Sequence, residues 1–314
     1  FSVALSIILL FGNKGLITHT ILGLASNNIY GFGGLLFAQV FSFFPMAYLQ
    51  LNGVLSTIDP SIEEAARDMG ASRLQTFLKV TIPLSLPGIV NSFLLMFIKC
   101  AADFGNPMTI AGGYNTLATQ IYYQAVGGYE LQRCTALAML LLVLTMIVYL
   151  ISKLFVEKRT FVTITGKATR ERTMIEEKHI TIPLTVICCI FAVIVGVIYV
   201  MIPVVSFIKL WGINYSLTFA NYIEAWKIGK QALMDTVKLA VVTTPITGVI
   251  AMLMAFLIVR KKNPLNKPME AVGMFGMIVP GTILGYAYVL LFNSAPAAGF
   301  PDSVRFSVPF LPVF

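Results

Sequence analysis

DPSIEEAARDMGASRLQTFLKVTIP, residues 59–83, is the longest polar interval in the first half of the chain, and long apolar runs stand on both sides of it. Its apolar residues have helical spacing. Ile62, Ala65, Ala66 and Met69 fall at i, i+3, i+4 and i+7, which predicts one narrow stripe on a short helix. Pro60 suits the first helical turn, where its missing N–H costs nothing. Either Asp59 or Ser61 can cap that turn, and Ser61 with Glu64 has capping-box spacing. Gly70 supplies a left-handed stop, after which Ala71 to Val80 can form a second helix that Pro83 ends. The pattern is a helix, a turn and a second helix, displayed as an amphipathic knob.

The flanking runs decide the fold class. The 314 residues are 57% hydrophobic and only 11% charged, with a mean hydropathy of +0.84, whereas an ordinary soluble domain is about one quarter charged. Apolar segments fall near 1–12, 33–53, 86–102, 134–155, 181–207, 232–259 and 269–292, with a further one starting near 304. Several match the roughly twenty residues that cross a bilayer. The expected fold is all-α, a polytopic transmembrane helical bundle embedded in a lipid bilayer.

Basic residues set its orientation. The loop after 53 carries Arg67, Arg73 and Lys79; the stretch 153–179 carries Lys153, Lys158, Arg159, Lys167, Arg170, Arg172 and Lys178; the loop near 260 carries Arg260, Lys261, Lys262 and Lys267. With strictly alternating spans these loops share one side and hold three, seven and four of the 22 basic residues. That excess marks the cytoplasmic side, and the knob lies there. The formal charge of +8 therefore reads as basic cytoplasmic loops, with no nucleic-acid partner. The helix-turn-helix outline does not change this, because a recognition helix tethered to spans at both ends is badly placed to reach a duplex.

Opposite lie 13–32, 103–133, 208–231 and 293–303. The second of these, with its paired glycines, proline and clustered tyrosines, predicts interfacial turns and an aromatic belt. Catalytic chemistry finds no footing. HExxH, GxSxG and paired-carboxylate patterns are absent, and the only histidines are His19 and His179. GKAT at 166–169 fails as a phosphate loop, since Phe161 stands where a Gly is needed and Ala168 where Ser or Thr must meet magnesium. Cys100, Cys134, Cys188 and Cys189 lack metal-site spacing and read as small core residues. Lys99, Asp103, Asp235 and Lys238 lie in or at the ends of spans, near their outer ends; Asp103, with Lys99 beside it, is the candidate for a substrate path.

The knob resembles the EAA loop of bacterial ABC-importer permeases: Glu64-Ala65-Ala66, three residues, Gly70, nine residues, then Val80-Thr81-Ile82-Pro83. Val80 and Ile82 stand where that pattern has Ile and Leu. Residues 102–130 and 158–168 resemble the fused, two-copy permeases of ferric-iron uptake systems. The resemblance implies the type I permease fold in the bacterial inner membrane, a substrate-binding protein docking outside and a homodimer of ATPase subunits docking inside. ATP and magnesium would be bound by that partner, leaving this chain without a cofactor. It implies that the first knob helix enters a cleft on the ATPase, so that Glu63, Glu64, Ala65, Ala66, Gly70 and Pro83 form the coupling element. Permeases for thiamine, aminoethylphosphonate and polyamine share this architecture. A secondary transporter without an ATPase, the alternative of another class, would need deep coupling carboxylates, and a membrane-embedded sensor or scaffold would use the knob only for recruitment.

SIILLFGN at 6–13 echoes YAYVLLFN at 286–293, with LLFGN against LLFNS at an offset of 281. The expectation is a pair of tandem permease domains cut at both ends. Residues 1–155 would be the C-terminal part of the first, 156–180 a cytoplasmic linker, and 181–314 the N-terminal part of the second.

Overall fold

Among the described residues, six helices are long and apolar enough to cross a membrane: Ser2–Ile21, Phe32–Ser56, Arg73–Ala101, Gln132–Leu154, Thr181–Ser206 and Ala220–Arg260. The computed structural model describes residues 1–24, 27–127, 131–157, 178–260 and individual positions between 264 and 288. Most of the expected 156–180 linker, the GKAT stretch, most of the span at 269–292, most of the YAYVLLFN echo and the segment near 304 lie outside the described residues. The fold is an all-α multi-pass membrane bundle, as the hydropathy requires.

By packing, the chain forms two units. The first comprises 1–38 and 177–277. Here α1 (Ser2–Phe11) buries Val3, Ala4, Ile7 and Leu10 and packs against α9 (Lys178–Ser206), which buries Ile198 and Met201. Beyond α9 comes a two-stranded antiparallel hairpin, β1 (Ile208–Leu210) and β2 (Asn214–Leu217). Gly212 carries its turn at φ +80°, a conformation L side chains resist. Asn221 Nδ2 then donates to the carbonyls of Ser206 and Ile208 at 3.1 and 2.9 Å, fastening the start of α10 (Ala220–Arg260) beside the end of α9. The stretch expected as a loop over 208–231 is thus a hairpin followed by helix. Its alternating Asn-Tyr-Ser-Leu run pairs as strand, and the Thr218 hydroxyl accepts from Ala220 N–H to open the helix.

The second unit comprises 39–176 and 278–314. In it α5 (Ile82–Ala101) and α7 (Leu117–Tyr122) both pack on α8 (Leu131–Glu157). Ile121, Cys134, Ala138 and Leu141 form a buried cluster. Gly88 of α5 lies so close to Val54 of α2 (Phe32–Ser56) that a Cβ there would strike the valine methyls, so glycine sets the approach of these two helices. Of the four cysteines expected in the core, Cys134 is fully buried and Cys100 half-buried, whereas Cys188 and Cys189 are exposed. The latter two sit on α9, an apolar span, where a small hydrophobic thiol suits the surrounding Val and Ile residues.

Candidate functional site

The knob forms as α3 (Pro60–Asp68) and α4 (Arg73–Thr76). Asp59 is the N-cap: its Oδ1 accepts from the Ser61 N–H at 3.0 Å, with Pro60 in the first turn. This choice places Ile62 at the third helical position, so the capping box expected between Ser61 and Glu64 does not form. The box is built one helix later. Ser72 Oγ accepts from the Gln75 N–H at 3.3 Å, while Gln75 Oε1 accepts from the Ser72 N–H at 3.0 Å. Gly70 turns the chain between the two helices at φ +91° with nothing near its missing Cβ. Its freedom is needed for backbone conformation and not for space.

Pro83 does not end the second helix. The chain continues from α4 through a π-helical turn, Phe77–Thr81, straight into α5, and Arg73–Ala101 is one 29-residue span. A proline ring collides with the carbonyl four residues back, here that of Lys79, and cannot donate to it. The widened turn spans that position, absorbing the misfit without breaking the helix.

The expected stripe divides. Ala66 is buried at 6% exposure and Ile62 half-buried, whereas Ala65 is exposed and Met69 is 84% exposed. Leu74, Phe77 and Leu78 add further exposed apolar surface below the turn. One side of the knob therefore packs, and the other is offered outward. Glu63 belongs to the packed side: the Thr81 hydroxyl donates to Glu63 Oε1 at 2.7 Å. Glu64 is half-buried on the next position, and Pro83 is exposed at the head of α5. Thr81 escapes the sequence because its partner is 18 residues away and the bond exists only once the two helices fold back together.

At the opposite end of α5 lies Asp103. Its Oδ2 accepts from Gln39 Nε2 at 3.1 Å and from Asn106 Nδ2 at 2.9 Å, and its Oδ1 from the Asn106 N–H at 3.3 Å. Gln39 Nε2 also donates to the Cys100 carbonyl at 3.2 Å, and the Asn106 amide exchanges hydrogen bonds with the Ser42 hydroxyl at 3.1 and 3.3 Å. Lys99 takes no part in this network. Gln39, Ser42 and Asn106 are uncharged and carry no sequence flag; only the bonds of Gln39 and Asn106 to a carboxylate at a span end, and of Ser42 to Asn106, mark them.

The segment after Asp103 is more than interfacial turns. It contains α6 (Gly105–Ile110), α7 and a π-helical turn, Tyr123–Gly127, and buries Asn106, Pro107, Ile110, Ala118, Thr119 and Ile121. Aromatic contacts do occur there, with Phe104 and Tyr122 at 4.8 Å and Tyr122 and Tyr123 at 6.1 Å. Of the other charges expected near span ends, Lys238 and Asp235 lie inside α10 and pair with each other at 3.8 Å on an exposed face.

Comparison with known proteins matches residues 1–162 to the family described as "Binding-protein-dependent transport system inner membrane component". A Haemophilus influenzae protein provisionally named as the ferric transport system permease FbpB 1 is 35% identical over 308 residues, 94% of this chain and 48% of its own. The ferric transport system permease protein FbpB of Actinobacillus pleuropneumoniae is 33% identical over 306 residues, 94% of this chain and 44% of its own. The molybdenum transport system permease protein ModB of Mycobacterium tuberculosis is 31% identical over 144 residues, 45% of this chain and 54% of its own. The chain spans about half the length of the curated relatives it matches. No solved structure matches it.

Proposed function

Because the chain belongs to the family of binding-protein-dependent transport system inner membrane components, we propose that it forms part of the membrane path of an ATP-driven importer for ferric iron. A substrate-binding protein delivers the cargo on the outer side. Separate ATPase subunits, acting as a homodimer that binds ATP and magnesium, dock on the cytoplasmic side. The choice of ferric iron is supported by relatives that cover 94% of the chain and carry ferric names, whereas the molybdenum permease covers 45%.

The observation that carries the mechanism is the knob, which the count of basic residues assigns to the cytoplasmic side and which offers Ala65 and Met69 while burying Ala66. Ala65 lets a partner surface approach α3 closely. Glu63 is the acidic residue in the first turn of α3, where the helix dipole favours negative charge, and Glu64 follows it on the same helix. Gly70 and Pro83 join α3 to the span below. Closure of the ATPase dimer would move α3, and with it the span, between inward-open and outward-open arrangements. Ferric iron is a hard cation that seeks oxygen ligands. We assign Asp103, with Lys99 nearby, to the outer part of a weakly binding polar passage.

The test is uptake of radiolabelled iron into proteoliposomes holding the full-length permease, its ATPase and its binding protein. Uptake that requires both ATP and the binding protein is expected, as is a reduced rate with Asp103→Asn. Uptake driven by an ion gradient without ATP would replace the importer with a secondary transporter. ATP-driven uptake of molybdate or thiamine in place of iron would keep the architecture and overturn the cargo. Iron uptake unchanged by Asp103→Asn would remove that residue from the path.

A further inference from the structure

The connection between α3 and the membrane span runs along the chain through Gly70, at φ +91°, the residue with the greatest backbone freedom available. The backbone bonds at the turn, Gly70 N–H to the Arg67 carbonyl at 2.8 Å and Ala71 N–H to the Ala66 carbonyl at 3.1 Å, close the end of α3 but do not reach α5. Through the chain alone, a push on a helix joined to its neighbour by such a turn is partly spent in bending the turn, and side-chain contacts between α3 and the segment below must carry the rest. The Thr81–Glu63 bond bypasses the turn. Thr81 is buried, sits at the last position of the π-helical turn, and its own carbonyl accepts from Ser85 Oγ of α5 at 2.8 Å. Its 2.7 Å hydroxyl bond to a carboxylate is within the short range of charge-assisted pairs.

We propose that Glu63 and Thr81 are positioning residues that make the knob and its span a single lever, so that displacement of α3 reaches α5 without being lost at Gly70. Neither residue needs to touch the ATPase for this. The bond also clamps the end of the π-helical turn, a feature frequent at functional positions in helices. The proposal rests on the importer reading given above. It adds to that reading a division of labour within the loop: Ala65 and Met69 face the partner, and Glu63 faces the span.

The experiment measures iron transported per ATP hydrolysed, together with ATPase co-purification, in the reconstituted full-length transporter. Thr81→Val, which keeps the shape and removes the hydroxyl, and Glu63→Ala are each expected to lower the coupling ratio about tenfold, as loss of a hydrogen bond to a charged group allows. ATPase recruitment should stay at the wild-type level. Thr81→Ser and Glu63→Gln keep a donor and an acceptor, and should restore most of the ratio. The double variant Glu63→Ala/Thr81→Val should be no worse than either single one, because both remove the same bond. A wild-type coupling ratio in Thr81→Val, losses that add in the double variant, or loss of ATPase recruitment in Thr81→Val would each overturn the proposal. Failure of the wild-type complex to couple iron uptake to ATP at all would instead overturn the importer reading.

Discussion

The two ends of α5 are finished in opposite ways. At the knob end a helix–turn–helix leaves Met69, Leu74, Phe77 and Leu78 exposed, and the Glu63–Thr81 bond ties it to the span. At the outer end Asp103 accepts three hydrogen bonds from Gln39 and Asn106, and the helices that follow bury Asn106, Ile110, Ala118 and Ile121. One end is tied back by the Glu63–Thr81 bond and the other by the bonds gathered on Asp103, with Met108 and Tyr114 still exposed there.

The largest effect is expected where the knob packs. Ala66→Glu places a carboxylate in a site that is 6% exposed, and an unpaired buried charge costs several kcal/mol. The variant should still insert in the membrane but fail to retain the ATPase in co-purification. Normal co-purification would show that the packed face of α3 does not matter for docking.

A smaller effect is expected at the outer end. Asp103→Ala removes the acceptor that Gln39 and Asn106 share, leaving them the Cys100 carbonyl and the Ser42 hydroxyl, at a cost of about 1–3 kcal/mol, read as a lower melting temperature of the detergent-solubilised protein. ATPase recruitment should be unchanged. Asp103→Asn, which keeps one acceptor, should lose less. If Asp103→Ala weakened ATPase binding as strongly as Ala66→Glu, the contrast between the two ends would be gone.

How much of this was legible depended on how far apart in sequence the interacting groups lie. Pro60 in the first turn and Gly70 at positive φ are single-residue requirements, and the sequence shows both directly. The capping box was displaced from Ser61–Glu64 to Ser72–Gln75, because Pro60 fixes the cap at Asp59 and shifts the helix frame. Pro83 looked like a terminator because the rule assumes regular α register, and the π-helical turn over Phe77–Thr81 breaks that assumption. Thr81 for Glu63 and Gln39 for Asp103 were invisible, being 18 and 64 residues from their partners and ordinary in type. Asp103 stood out only as a charge at a span end.

The helix α10 shows the converse limit. Hydropathy found its apolar portion, yet its 41 residues rise about 62 Å, roughly twice the hydrocarbon thickness, and none of them is buried. Its exposed flank Asn221–Gln231 is polar enough to read as loop, but carries good helix formers such as Glu224, Ala225 and Lys227. Local propensity prevailed there over the pattern of polarity.

The central claim is that the two ends of α5 face opposite sides of the membrane and that only the knob end meets the ATPase. Single cysteines introduced as Met69→Cys and Tyr114→Cys, in a background lacking Cys100, Cys134, Cys188 and Cys189, test it with a membrane-impermeant maleimide. Met69 is 84% exposed and Tyr114 47%, so both positions are open to reagent. The expected result is that Met69→Cys reacts only in inverted vesicles and is protected by added ATPase, while Tyr114→Cys reacts only in right-side-out vesicles and is unaffected by ATPase. Labelling of Met69→Cys from the outer side, or its indifference to the ATPase, would contradict the claim.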